Sequence, residues 1–278
     1  MSGTLFIVAT PIGNLEDLTP RARQTLAEVD LIAAEDTRHT GRLLSSIGAK
    51  TPQKALHDHN ESNAVPALIE ALVAGQNIAL VSDAGTPLVS DPGYRLVAAA
   101  HQQGIAVSPI PGPSAVTAAL SVAGLPTDRF CFEGFTPAKA AARSKWFADR
   151  ATETRTMVFF ESVHRICDSL ADMVTAFGND REAFIGREIT KLHEQCVRGT
   201  LAEILSQLQC NAIREKGEFV VIVHGAPPEA GASYETDTLL AELSAHLPAK
   251  TAAAIAARLT GEKKNALYAR ILELTANA

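Results

Sequence analysis

NIALVSDAGTPLVSDPGYRLVAAAHQQGIAVSPIPGPSA, residues 77–115, decides the fold. It opens on a short apolar run (77–83), the pattern of a buried strand. A loop of Asp, Gly, Ser, Thr and Pro follows. Asp91-Pro92 then reads as the cap and first turn of a helix over 93–103, closed by Gly104. A second apolar run, IAVSPI (105–110), ends in the turn PGPSA, and a further helix runs to Val122. Strand, loop, helix and strand at this spacing predict a parallel α/β sheet.

The same alternation extends in both directions. TLFIVAT (4–10), bounded by Pro11, reads as a strand, and Thr19-Pro20 starts a helix that runs to about Val29. DLIAAED (30–36) is the next strand. Thr37 or His39 opens a helix ended by Gly48, and Asn63 caps another over 64–74 with Gly75 behind it. A boundary falls in 124–129. Beyond it, strands are expected at FCFEGF (130–135), TMVFFES (156–162), AFIGRE (183–188), QCVRGT (195–200) and EFVVIV (218–223). The last of these lie close enough together for antiparallel connections, so this sheet should be mixed. GAPPEAGAS (225–233) reads as a linker, and the tail as short helices broken at Pro248 and Gly261. The expected organisation is an N-terminal α/β domain (1–123), a second α/β domain (124–226) and a helical C-terminal extension (234–278).

Composition narrows the class. Hydrophobic content of 46% and 20% charge over 278 residues fit an ordinary globular protein of about two domains. No run approaches the roughly 18 apolar residues of a membrane helix, and MSGTLFIVAT has no basic region ahead of its apolar run, so no signal peptide is expected. Cys131, Cys167, Cys196 and Cys210 are widely spaced without a CxxC pair, which points to a reducing cytoplasm and not to disulfides or zinc. The net charge is −6, but its distribution is uneven. Residues 136–155 carry +3 and residues 250–270 carry +4, leaving −13 for the rest. Such patches serve either as phosphate-binding surfaces or as solvated helix faces.

Ligands of an open parallel sheet bind at the carboxyl ends of its strands. That rule singles out ATPIGNLED, EDTRHT, SDAGTPLVSDPG and PGPSA. None is a dinucleotide fingerprint: the first loop has only Gly13, and no GxxxxGK[ST] occurs anywhere.

Taken together and in order, ATPIGNLED, AEDTRHTGRLL, VSDAGTPLVSDPG, PGPSA, FEGFTP, FFESVHR, GREITKLHEQ and KGEFVVIV resemble the ribosomal RNA small subunit methyltransferase I family. That family belongs to the tetrapyrrole methylase superfamily and methylates a cytidine 2′-oxygen. The resemblance covers about residues 4–225, and the tail is similar to the family's helical extension. It implies two α/β domains, S-adenosylmethionine (SAM) in the cleft between them, and a homodimer. Carried over by position, it places SAM against Pro11, Asp83, Gly85, Thr86, Ser114 and Ala115 from the first domain. From the second domain it adds Phe160, Glu161, Gly186, Arg187, Glu218 and Phe219. TPIGNLED in place of a glycine-rich first loop, and SDAGTP in place of a Gly-Asp-Pro turn, depart from the tetrapyrrole-modifying members and point to the RNA branch.

The residue chemistry fits such a ligand. Glycines let backbone groups approach closely, a carboxylate such as Asp83 can accept from ribose hydroxyls or an amine, and the helix start at Ser114 suits a carboxylate. Asp83 read as a plain turn residue is the alternative. A ribose hydroxyl is a poor nucleophile and benefits from a base. GREITKLHEQ supplies Glu188 and Lys191 for that role, against the reading of Arg187 and Glu188 as a structural ion pair. Arg38 or Arg187 is the candidate to hold phosphate. Lys139, Arg143 and Lys145 beside Trp146, and Lys263 and Lys264 in the tail, are the candidate RNA contacts, with Trp146 alternatively a core anchor. His57 and His59 share one strand face, but no further ligands at a compatible spacing support a metal. The partner implied is small-subunit ribosomal RNA or the assembled subunit. The competing readings are a methyltransferase acting on a tetrapyrrole or other small molecule, and a non-catalytic SAM- or nucleic-acid-binding protein.

Overall fold

The computed structural model describes residues 2–227 and 236–276. The chain divides into two units, residues 1–225 and 226–278.

The first unit begins with a wholly parallel sheet. Its strands are β1 (Thr4–Val8), β2 (Leu31–Ala34), β3 (Gln53–Ala55), β4 (Ile78–Val81) and β5 (Ala106–Ile110), in the order β3-β2-β4-β1-β5. The connecting helices are α1 (Pro20–Glu28), α2 (Thr37–Ile47), α3 (Glu61–Val73) and α4 (Tyr94–Gln102). Alternation along β4 explains why both faces are covered. Ile78 and Leu80 pack with Leu68, Leu72 and Leu96 of α3 and α4, whereas Ala79 and Val81 pack with Ala22, Leu26 and Leu44 of α1 and α2. Caps act where the sequence places them: Thr19 accepts from the Ala22 amide ahead of Pro20, and Gly48 closes α2 at φ 73°.

Three local expectations are corrected. The edge strand β3 escapes a hydrophobicity reading because QKA is polar and only half-buried. Asn63 lies inside α3 and does not cap it; the residue at the start is Asn60, whose side chain accepts from the His57 amide and donates to the Ala55 carbonyl. Asp91 does not cap α4. Gly93 holds that place at φ 121°, with no side-chain capping bond.

The second sheet contains β6 (Phe130–Phe135), β7 (Thr156–Ser162), β8 (Glu182–Arg187), β9 (Gln195–Thr200) and β10 (Glu218–Val223), in the order β6-β7-β10-β8-β9. Only the β6–β7 pair is parallel, so the sheet is mixed as expected. One face carries α6 (Ala140–Ala148), α7 (Ile166–Phe177) and α8 (Leu201–Gln209). Their Phe147, Leu170, Met173 and Ile204 enclose Phe159 and Val221. The other face is covered by α5 (Ala115–Ala123), which leaves β5 of the first sheet. Its Val116, Ala119 and Leu120 pack on Val158, Phe184, Val220 and Ile222. Burial of Leu120 alone contributes about 2 kcal/mol. This single helix therefore fixes the loops of the first sheet over the strand ends of the second.

The second unit holds α9 (Thr236–His246), α10 (Ala249–Thr260) and α11 (Lys264–Ala276). They close around Leu240, Ala252, Ala253, Ala256, Leu267 and Ile271, the alanines letting the helices approach closely. Pro248 and Gly261 bracket α10 as expected. Of the expected linker 225–233, residues 228–233 lie outside the described residues. Among the described residues no helix is long and apolar enough to cross a membrane.

Candidate active site

The β4 loop ties together the four loops at the carboxyl edge of the first sheet. Thr10 and Gly85 exchange backbone hydrogen bonds at 2.9 and 3.0 Å. The Asp83 amide donates to Glu35 and the Asp36 amide to Asp83, both at 3.1 Å. Thr86 Oγ1 donates to the Pro113 carbonyl at 3.0 Å. The loop needs unusual backbone to do this: Gly85, Leu88, Ser90 and Gly93 all have positive φ. For Leu88 and Ser90, which carry a Cβ, that conformation costs on the order of 1 kcal/mol each.

Between this loop and the ends of β7, β8 and β10 lies a cleft of about 250 Å3. Of the twelve cofactor residues implied by the resemblance, ten line it: Asp83, Gly85, Thr86, Ser114 and Ala115 on one side, Phe160, Glu161, Gly186, Glu218 and Phe219 on the other. Pro11 and Arg187 do not, although Ile12 does. Gly186 sits close beneath Ile189, since a Cβ there would lie 2.6 Å from the tip of that side chain and would push it aside.

The first wall is crowded with carboxylates. Burial, together with neighbouring Asp83, Asp58 and Asp36, holds the Glu35 pKa above its ordinary value despite the Asp83 amide. Burial and then Glu35 push Asp91 up to about 6, against a hydrogen bond from Ser82. Asp83 spends both oxygens locally, accepting from the Asp36 amide and lying 3.1 Å from His39 Nδ1.

The second wall is internally paired. The Glu161 side chain is fully buried and accepts from Thr136, Ser169, Arg165 and the Ser162 amide. Arg187 is 5% exposed and donates to the Lys216 and His193 carbonyls. Among the described residues no ion pair joins it to Glu188, so the structural-pair reading is corrected, and a guanidinium spent in this way is not a phosphate clamp.

Glu188 and Lys191 do meet. Lys191 Nζ lies 2.9 Å from Glu188 and 2.8 Å from Glu218. No helix brings them together; the turn does, with Glu188 at φ 52° and Thr190 at φ 67°. The Lys191 stem crosses Gly13 of the first loop so closely that a Cβ there would collide with it. Burial alone would lower Lys191, but its two carboxylate partners hold its pKa above the usual value. Burial alone would raise Glu188, but Lys191 and the Glu218 amide hold it below. Both groups are therefore charged at neutral pH.

The RNA candidates separate. Arg143 is 4% exposed and bound to Asp172 at 2.7 Å, so it is a core brace and not an RNA contact. Lys139, the residue just before α6, and Lys145 on it are exposed, with Lys145 3.3 Å from Asp149. Trp146 packs against Phe147 and Phe159 under the Arg150 guanidinium, the core-anchor alternative. Arg38 is exposed and bound to Asp36 through two nitrogens. Lys263 and Lys264 are exposed in the second unit. His57 and His59 make an edge-on ring contact, and no group of metal-holding geometry occurs among the described residues.

Sequence reading missed Asp91, Ser90, Phe135 and Ile189 as cleft residues. Phe135 sat within a quoted motif and stacks edge-on with Phe160 at 5.5 Å. Asp91 looked like a cap because Asp-Pro before a helix so often is one.

Residues 4–205 match the family model of the tetrapyrrole (corrin/porphyrin) methylases, and residues 230–275 match the RsmI C-terminal HTH domain. The chain is 51% identical over 267 residues to ribosomal RNA small subunit methyltransferase I of Xylella fastidiosa strain Temecula1, covering 96% of this chain and 98% of that protein. It is also 51% identical over 272 residues to the Escherichia coli O157:H7 protein of that name, covering 98% and 95%. The chain belongs to the ribosomal RNA small subunit methyltransferase I family. Membership in that family joins the cleft and the C-terminal helices in one protein. Solved structures extend the likeness of fold alone. A uroporphyrin-III-C-methyltransferase from Thermus thermophilus aligns at TM-score 0.55 with 20% identity, over 80% of this chain and 94% of that one. A cobalt precorrin-4 methyltransferase aligns at 0.56 with 15% identity, over 80% and 94%.

Proposed function

We propose that this protein transfers a methyl group from SAM to a cytidine ribose 2′-oxygen in small-subunit ribosomal RNA. The observation that carries the reading is near-full-length identity of about 51% to ribosomal RNA small subunit methyltransferase I proteins. The cleft suits the donor: SAM carries a cationic sulfonium and an ammonium, and Glu35, Asp83 and Asp91 line one wall. The bound donor supplies a methyl group on a positively charged sulfur. Residues 1–123 and 124–226 are read as two domains that face each other across it.

The chain's own contribution is mostly alignment and charge. Holding an acceptor oxygen in line with the methyl–sulfur bond supplies much of the acceleration in such transfers. Glu188, ionised and joined through Lys191 to the cleft-lining Glu218, is assigned to receive the hydroxyl proton. Lys191 retains its own proton and is assigned to steady the charge that develops on the oxygen. Arg38, Lys139, Lys145, Lys263 and Lys264 are assigned to RNA phosphates, each adding to affinity without reading sequence. A homodimer working in the cytoplasm completes the proposal. The test is incubation with labelled SAM and small subunits from a strain lacking the protein. Label on a ribose 2′-oxygen is expected; label only in a porphyrinoid substrate, or no transfer, would overturn the reading.

A further inference from the structure

A second depression opens beside the cleft and shares Ile12 and Ser114 with it. It is wide and shallow, about 470 Å3, and its lining combines apolar Ile12, Pro113 and Ala118 with the polar groups of Asp17, Thr19, Thr117, Ser121 and Thr190. Two of these residues carry side-chain oxygens that are shielded from solvent and make no hydrogen bond: Asp17 Oδ2 and Thr190 Oγ1. Buried polar atoms without partners are uncommon, and each costs roughly 1–3 kcal/mol. Thr190 also holds φ 67°, a strained setting for a β-branched residue. A bond of 2.6 Å from its amide to Glu194 secures that setting. Strain and unmet hydrogen-bonding capacity thus coincide next to the proposed donor site.

We propose that this depression seats the base of the acceptor nucleotide and that Asp17 and Thr190 select cytosine. The inference rests on the reading of the adjoining cleft as the SAM site. A carboxylate only accepts, and a hydroxyl can donate. The cytosine edge presents an amine donor at N4 beside acceptors at N3 and O2, so once a side-chain rotation turns the shielded oxygens into the depression, Asp17 pairs with the amine and Thr190 with an acceptor. Uracil presents an O4 acceptor where cytosine has its amine and sets it against the Asp17 carboxylate. With the base in the depression, the ribose lies at the shared wall of Ile12 and Ser114, facing the cleft.

The test compares the full-length protein with Asp17→Asn and Thr190→Val. Donor affinity is measured by calorimetry, and methyl transfer on small subunits carrying the natural cytidine or a uridine in its place. Asp17→Asn should bind SAM within two-fold of wild type and lose at least ten-fold in rate on cytidine. It should gain measurable transfer to uridine, because the Asn amide can donate to O4. Thr190→Val should keep donor affinity and lose about five-fold on cytidine, within the range of one such contact. Unchanged cytidine rates in both variants, or equal losses on cytidine and uridine subunits, would overturn the base subsite alone. A wild-type protein that binds SAM yet modifies no ribose would overturn the functional reading with it. If Asp17→Asn fails to fold, the Thr190→Val result decides.

Discussion

The two walls of the cleft solve opposite electrostatic problems. On the second-sheet side, the cleft-lining Glu161 and Glu218 and the neighbouring Arg187, Glu188 and Lys191 all have partners within the chain. On the first-sheet wall, Glu35 and Asp91 sit near Asp83 and Asp58, and both resist ionisation. A paired wall is rigid and holds its shape without a ligand. A wall of crowded carboxylates is unfavourable alone and improves when a cation arrives, as expected where a sulfonium and an ammonium bind. Removing a carboxylate should therefore destabilise the protein on one wall and stabilise it on the other.

The largest effect is expected at Glu161. Its replacement by Ala strands two buried hydroxyls and the Arg165 guanidinium. Loss of one partner from a buried charged network costs about 3 kcal/mol, which urea unfolding would measure. A loss below about 1 kcal/mol would mean that this wall is not held by its pairing.

Gly93→Ala comes next and tests how the first wall is shaped. The position has φ 121°, and an added Cβ would lie 2.6 Å from Leu80 Cδ2 in the core of the first sheet. Strain and overpacking together should cost about 2 kcal/mol. Because Gly93 ends the loop that carries Asp91, SAM affinity should fall with stability. Unfolding and titration of the same sample check both, and unchanged affinity would separate loop shape from the site.

These contrasts also show what the sequence made legible. The sheets were readable because β1, β4, β7 and β10 are apolar runs with turn residues at their ends, and caps such as Thr19 and Gly48 declare themselves. β3 was not readable, because pairing with β2 and not hydrophobicity makes it a strand. The resemblance brought ten of its twelve cofactor positions to the cleft, yet it gave no sign of how they are wired. Arg143 and Arg187 looked like free cations because burial is a property of packing. Asp91 was hidden by the positive φ values at Leu88 and Ser90, which L-residues rarely adopt and local preference does not foretell.

The smallest effect, and the one of opposite sign, is expected from Asp91→Asn. Burial pushes the Asp91 carboxyl to about 6 in the folded chain, above its ordinary value of 3.8. Because folding favours the protonated form, the ionised carboxylate opposes folding above pH 6, and the penalty fades as pH falls towards 4. The side chain is partly solvated, so the full shift overstates the energy; after screening, about 1 kcal/mol remains. Asn removes the charge, so the ligand-free variant should gain about that much at pH 8 and almost nothing at pH 4. SAM binding should respond in the other direction. A cation favours the ionised carboxylate, so wild-type affinity should weaken as pH drops through 6. The variant should bind several-fold more weakly at pH 8 and keep only the residual slope that Glu35 provides. Urea unfolding and calorimetry at the two pH values read both quantities. If Asp91→Asn destabilises the protein at pH 8, or leaves the pH slope of SAM affinity unchanged, the two walls do not differ in the way their charges imply.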